Sequence, residues 1–118
     1  MPIFLKRAYE KPMAEDGERI LVERLWPRGL KKENAKVTCW LKGLSPSPEL
    51  RKWYSHDKTK WSEFKASYWK ELDRQRDAVA ALAEEGRKGR ITFIYGSKEE
   101  RLNSAAALKE YIEKNFPA

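Results

Sequence analysis

An apolar strand that runs directly into an arginine-rich turn is the feature that most constrains the fold of this chain. Residues 19–29 have the sequence RILVERLWPRG, in which aliphatic residues precede two arginines, a tryptophan and a proline. Pro27 fixes its own backbone angle, and Gly29 permits a tight turn. Because ligands of open α/β sheets bind at the carboxyl ends of the strands, this pattern predicts a buried strand with a site at its end.

Two other short apolar runs also predict strands, at residues 3–5 and 90–95, beside the run at 20–22. The loop between the first two strands is too short to hold a full crossover helix with its turns. These two strands are therefore candidates for a hairpin, and their relative direction is left open by the sequence.

Helical spacing of apolar residues predicts four helices in the rest of the chain. Ser47 suits the start of the second, with Pro48 in its first position, and Asn103 suits the start of the last. Strands near both ends with helices between them predict a small α/β domain over residues 1–118. Its sheet is expected to be short, largely parallel, of three to four strands, and covered by helices. The predicted helices span residues 34–44, 47–56, 59–85 and 103–116.

Composition narrows the class of protein. A chain of 118 residues with 41% hydrophobic content suits one core. Cys39 is the only cysteine, which excludes internal disulfides and multi-cysteine metal sites, and it is predicted to lie in a helix on the core side. With no signal peptide and no membrane-spanning run, a cytoplasmic protein without metal or cofactor is expected.

The strand-end turn supplies most of the candidate site residues. Arg24 and Arg28 carry forked donors that suit phosphate or carboxylate groups, and Trp26 is a candidate wall for stacking against a ligand. Glu23 is either a structural ion-pair partner or a general base. His56, the only histidine, is a candidate for proton transfer or a helix-junction residue.

A second strand-to-helix loop follows residues 90–95. Ser97 lies in a turn after this buried strand, and its surroundings are candidates for binding a phosphate. Asn103, at the start of the helix that follows, is a second ligand-binding candidate in this region. A plain turn is the alternative for Ser97, and helix capping is the alternative for Asn103. The loop lacks the glycine pattern of dinucleotide sites and the lysine pattern of P-loops.

A set of motifs extends over nearly the whole chain. It comprises residues 19–29 and Arg7-Ala-Tyr9, Trp40-Leu-Lys42, Ser45-Pro-Ser47, Glu49-Leu-Arg-Lys-Trp53, His56-Asp57, Trp61, Phe64, Tyr68, Glu71-Leu72 and Tyr95. In these motifs the chain resembles the DUF488 family, in particular its short YeaO-like branch. The resemblance implies a bacterial or archaeal cytosolic α/β domain whose biochemical function is largely unassigned. This chain departs from the family pattern at Glu23 and Glu99, where aspartate is commoner, and at Lys58, where proline often follows His-Asp.

Three functional hypotheses follow from these residues. The leading one places Arg24, Arg28 and His56, with Trp26 as a wall, in one pocket for a small phosphate- or carboxylate-bearing ligand. This hypothesis leaves open whether the protein has hydrolase or transferase activity. It predicts that His56 lies close to one of the arginines. The second, based on the net charge of +7, is a nucleic-acid-binding module. The third is a non-catalytic protein-interaction domain.

Overall fold

A computed structural model describes residues 3–55 and 57–117 of the chain. Its sheet has four strands, which are β1 (Ile3–Arg7), β2 (Glu18–Leu21), β3 (Cys39–Trp40) and β4 (Ile91–Tyr95). They lie in the order β1-β4-β2-β3, and every neighbouring pair is parallel. The prediction of an α/β fold with a short, largely parallel sheet is confirmed.

Five α-helices accompany the sheet in the described residues, and two of them begin at the predicted caps. The Ser47 hydroxyl accepts a hydrogen bond from the Leu50 amide, and the Asn103 side chain accepts one from Ala106. The helices are α1 (Lys32–Ala35), α2 (Pro48–Tyr54), α3 (Trp61–Asp73), α4 (Arg76–Lys88) and α5 (Ser104–Asn115), with 3₁₀ turns at Ala14–Asp16, Lys42–Leu44 and Lys58–Lys60.

The sheet separates two unequal apolar layers. On one face, Ile20 and Val22 pack into the main core, which α3, α4 and α5 complete. Leu21 points to the other face, because successive side chains of a strand alternate. There it joins Ala8 and Ile94 in a thinner layer. The partly buried side chains covering that second layer are Trp26, Leu30, Val37 and Trp40.

The hairpin candidate for the first two strands was wrong. Both β1 and β2 pair in parallel with β4, which lies between them. Residues 8–17 connect the two strands without an α-helix. Ten extended residues span up to about 33 Å, which is long enough to return the chain along a five-residue strand to the start of a parallel one. Asp16 anchors this connection by accepting hydrogen bonds from Lys6 at 3.1 Å and Arg19 at 2.7 Å.

The helix predicted at 34–44 was also wrong. Helix α1 ends at Ala35, and Lys36 adopts a left-handed conformation with φ of 48°. The chain then enters β3, whose Cys39 pairs with Ile20. Cys39 is consequently exposed at the sheet edge and does not face the core. Apolar spacing was misleading because Trp40 packs on the second face of the sheet and not on a helix partner.

The single helix predicted at 59–85 is two helices, α3 and α4, which are separated at Arg74 and Gln75. A continuous helix of that length would extend about 40 Å. The longest dimension of the molecule is 35 Å. The break allows Leu72 of α3 and Val79 of α4 to enter the same core. None of the helices in the described residues combines the length and apolar character required to cross a membrane.

Candidate functional site

A pocket of about 110 Å³ lies at the carboxyl ends of β2 and β4. Glu23 and Arg24 reach it from the segment after β2, and Ser97 reaches it from the loop after β4. Arg51 of α2 and Asn103, the cap of α5, also line it. Four residues named as site candidates from the sequence, Glu23, Arg24, Ser97 and Asn103, therefore line one cavity.

Two guanidinium groups contribute positive charge to this pocket. Arg24 and Arg51 are both half-buried. The Nε of Arg24 donates to the carbonyl of Pro46 at 3.4 Å. Among residues 3–55 and 57–117, neither arginine lies within 4.0 Å of a carboxylate as an ion pair. Their remaining donors are available for an anion, for which charge-assisted hydrogen bonds are stronger than neutral ones.

The orientation of Arg51 depends on how α2 is attached to α3. The carboxylate of Glu71 on α3 accepts hydrogen bonds from the Ser47 amide at 2.9 Å and the Ser47 hydroxyl at 2.7 Å. The same hydroxyl caps α2 at Leu50. Ser47 thus fixes the first turn of the helix that carries Arg51.

Aromatic rings form the apolar wall of the pocket. The rings of Tyr54 and Phe64 are stacked, with centroids 4.3 Å apart, and both residues line the cavity. Burial, followed by the nearby carboxylate of Glu99, raises the pKa of Tyr54 above its ordinary value. The Tyr54 hydroxyl is therefore protonated at neutral pH and can donate a hydrogen bond.

Glu23 connects the ends of the two central strands. Its Oε1 accepts a hydrogen bond of 2.6 Å from the amide of Gly96, directly after β4. This hydrogen bond gives Glu23 a structural contact, but not the ion pair considered from the sequence, because among the described residues Glu23 forms no ion pair within 4.0 Å. The same carboxylate lines the pocket, so the residue belongs to both the scaffold and the candidate site.

The loop between β4 and α5 is held in place by Glu99. A hydrogen bond from Lys58, followed by two from backbone amides of the same loop, lowers the pKa of Glu99 to about 2. The side-chain amide of Asn103 donates to the carbonyl of Glu99 at 2.7 Å, which connects this loop to the start of α5. Ser104, the first residue of α5, lines the pocket. Free amides and the dipole at a helix N-terminus favour an anion there.

Two of the predicted ligand-binding residues lie elsewhere. Trp26 packs edge-on against Trp40 with ring centroids 5.4 Å apart, on the second face of the sheet, and its indole donates to Leu30. Arg28 is exposed, and its carbonyl accepts a hydrogen bond from Tyr9. Neither lines the pocket. His56 lies outside the described residues, so its proximity to Arg24 or Arg28 stays a prediction.

Sequence reasoning missed Arg51, Ser45 and Ser104 as pocket residues. The signal for Arg51 was available: it stands three residues before Tyr54 on a helix whose cap had been predicted. Residues three apart on a helix lie on the same side, and here both face the cavity. Ser45, identified from the sequence only as part of the motif Ser45-Pro-Ser47, is buried.

A second concavity, of about 570 Å³, lies between the β3 edge and α4. It is larger than the strand-end pocket, but most of its lining is apolar, including Ile20, Leu41 and Leu82. Its ionisable lining residues are Glu18, Glu85 and Cys39, and no cationic side chain from the described part of the chain lines it. The concentration of charged and polar groups therefore favours the strand-end pocket as the candidate site.

Comparison with known proteins assigns the family. The family model described as "Inactive DUF488-N3 subclade" matches residues 2–118. The uncharacterised protein YeaO of Escherichia coli is 36% identical over 112 residues, covering 95% of this chain and 97% of YeaO. The uncharacterised protein Rv3073c of Mycobacterium tuberculosis is 34% identical over 106 residues, covering 90% and 89%. No solved structure matches the chain. On these matches, the chain belongs to the DUF488 family.

Proposed function

We propose that the strand-end pocket binds a small ligand through an anionic group, held by Arg24 and Arg51. The observation that carries this proposal is the pair of guanidinium groups in one cavity, neither of them ion-paired among the described residues. Forked guanidinium donors match the geometry of carboxylate and phosphate oxygens. The N-terminus of α5 also reaches the pocket at Ser104, where the helix dipole favours an anion.

Pocket volume limits the size of the ligand. About 10–15 Å³ suffices for one water molecule, so a cavity of about 110 Å³ accommodates roughly seven to eleven non-hydrogen atoms. Pockets that enclose drug-sized ligands measure about 300–1,000 Å³. The expected ligand is therefore a small metabolite, or the anionic end of a larger one.

Binding without turnover is the form of this proposal that the observations favour. Glu23, the base candidate within the described residues, already accepts the Gly96 amide at 2.6 Å, so the backbone occupies one oxygen of the carboxylate that a base would use. The matching family model is also described as inactive. Hydrolase or transferase chemistry would need His56, and a His56→Ala variant tests for it directly.

Thermal unfolding with phosphate, sulfate and short carboxylates tests the proposal. A ligand at 100 times its Kd should stabilise the protein by about 2.7 kcal/mol. We expect Arg24→Ala and Arg51→Ala to remove this stabilisation, while Arg74→Ala, which alters an exposed arginine between α3 and α4, should keep it. Stabilisation by none of these anions, or equal stabilisation of all three variants, would refute it.

A parallel set of variants separates this pocket from the arginine turn. If Arg28→Ala abolishes binding and Arg51→Ala does not, the ligand occupies the turn and the pocket proposal is wrong. If ligand is bound and consumed by the wild type but only bound by His56→Ala, the protein is catalytic.

A further inference from the structure

We propose that the ligand of the strand-end pocket is a zwitterion of the amino-acid type, with a carboxylate on Arg24 and Arg51 and an ammonium group on Glu23. This inference rests on the proposed function, because it assumes that the arginines hold an anionic group. It adds the second half of the ligand, and with it the ligand class.

Charges of both signs line the cavity. Arg24 extends towards the Pro46 carbonyl, next to the start of α2, and Arg51 lies on α2 itself. The Glu23 carboxylate lines the same pocket, where the Gly96 amide at the end of β4 holds it. The pocket therefore presents both cationic and anionic side chains to one ligand.

The opposite charges of Glu23 and of the two arginines do not neutralise each other. Within residues 3–55 and 57–117, Glu23 forms no ion pair within 4.0 Å with any cation, and neither do Arg24 and Arg51 with any carboxylate. An ionised carboxylate offers about four lone-pair sites, and the Gly96 amide is the hydrogen-bond donor that the described residues supply to Glu23. Acceptor capacity remains for a ligand.

The Glu23 carboxylate would discriminate between a phosphate dianion and a zwitterion in this pocket. A phosphate dianion in so small a cavity lies near the Glu23 carboxylate, and like charges in a partly buried site repel each other. A carboxylate with an ammonium group one or two carbons away turns this repulsion into a charge-assisted hydrogen bond. The volume of about 110 Å³ suits a molecule of this size, and Tyr54 and Phe64 provide apolar contact for a short side chain.

Calorimetric titration of the full-length protein with matched small molecules tests this inference. The probes are propionate, which has only the carboxylate, ethylamine, which has only the ammonium group, and alanine and β-alanine, which have both. We expect either amino acid to bind at least tenfold more tightly than propionate, and ethylamine to show no measurable binding.

A matched variant identifies the anionic side. Glu23→Gln keeps an oxygen that accepts the Gly96 amide, and it removes the charge. We expect it to weaken alanine or β-alanine at least tenfold while leaving propionate equal or tighter. The control Glu113→Gln, an exposed carboxylate on α5, should change neither ligand. Circular dichroism of each variant establishes that it is folded.

The outcomes separate the two proposals. If propionate or phosphate binds in an Arg51-dependent manner and the amino acids bind no more tightly, the zwitterion inference is overturned and the proposed function stands. If none of these probes binds the wild type, both are overturned. If Glu23→Gln does not fold, the wild-type ratio between alanine or β-alanine and propionate decides the question alone.

Discussion

At the scale of single residues, Asp16 is the clearest case of one side chain supporting the fold. It is nearly buried, and it accepts hydrogen bonds from the Met13 amide, from Lys6 and from Arg19. Burial by itself would raise the pKa of Asp16, but these hydrogen bonds outweigh it and lower the pKa below its ordinary value. The charged form is therefore the one that stabilises the connection between β1 and β2.

We expect Asp16→Asn to lower the free energy of unfolding by about 3 kcal/mol, because it leaves the buried Arg19 without its charged partner. A carboxylate with a lowered pKa stabilises the folded state above its unfolded pKa, near 3.8, and this stabilisation is lost as the pH falls through the folded value. Urea denaturation between pH 2 and 7 should show a shallower acid dependence in the variant. The exposed Asp77→Asn should cost less than about 1 kcal/mol.

Gly17 is a position where a side chain cannot be accommodated. Its φ is +65°, and a Cβ there would lie 2.1 Å from the Arg90 carbonyl oxygen. We expect Gly17→Ala to destabilise the protein by more than about 2 kcal/mol, since left-handed strain alone costs roughly 1–2 kcal/mol. A Cβ added at Gly29, whose φ is +77°, would have no atom of the other described residues within 4 Å apart from its chain neighbours, so Gly29→Ala should show the strain alone. Equal unfolding midpoints for the two variants would contradict this account.

At the scale of elements, α2 links stability to the candidate site. Ser47→Ala removes both hydrogen bonds of the hydroxyl, which are the cap at Leu50 and the bond to Glu71. We expect a loss of about 1–2 kcal/mol in chemical denaturation. Ligand affinity should also fall, because Arg51 lies on the same short helix.

The exposed Ser67→Ala on α3 is the matched control for this prediction, and it should leave both quantities unchanged. A Ser47→Ala protein that is less stable but binds with unchanged affinity would show that the cap does not position Arg51.

At the scale of the whole molecule, part of the basic charge is compensated locally. Surface lysines and arginines form ion pairs with neighbouring acids, as in Lys58–Glu99, Lys65–Glu110, Arg87–Glu84 and Lys88–Glu85. Such interspersed charge weakens the continuous positive surface that a phosphate backbone requires.

We accordingly expect no gel shift of DNA or RNA at 150 mM salt even with protein at about 10⁻⁴ M, the upper end of the Kd range for non-specific binding. Non-specific binders have Kd values of about 10⁻⁴–10⁻⁶ M under such conditions. A shift that weakens steeply with salt, and is lost when Arg87 and Lys88 are replaced by alanine, would instead support the nucleic-acid hypothesis.

Much of the fold could be predicted locally, whereas the site could be predicted only in part. Glu23, Arg24, Ser97 and Asn103 were identified because they follow buried strands or begin a helix, positions where parallel sheets place their loops. Trp26 shares the same turn, yet it packs beneath Trp40 on the other face of the sheet. Spacing along a turn does not determine to which face each side chain points.

The sequence by itself determined the α/β class, the buried run of β4 and the caps at Ser47 and Asn103, because these depend on residues adjacent in the chain. Only the tertiary structure decided the insertion of β4 between β1 and β2, the edge strand at Cys39 and the division of α3 from α4. It also placed Arg51 in the same pocket as Arg24. These features depend on contacts between residues distant in the chain, whose free energy outweighs local propensity.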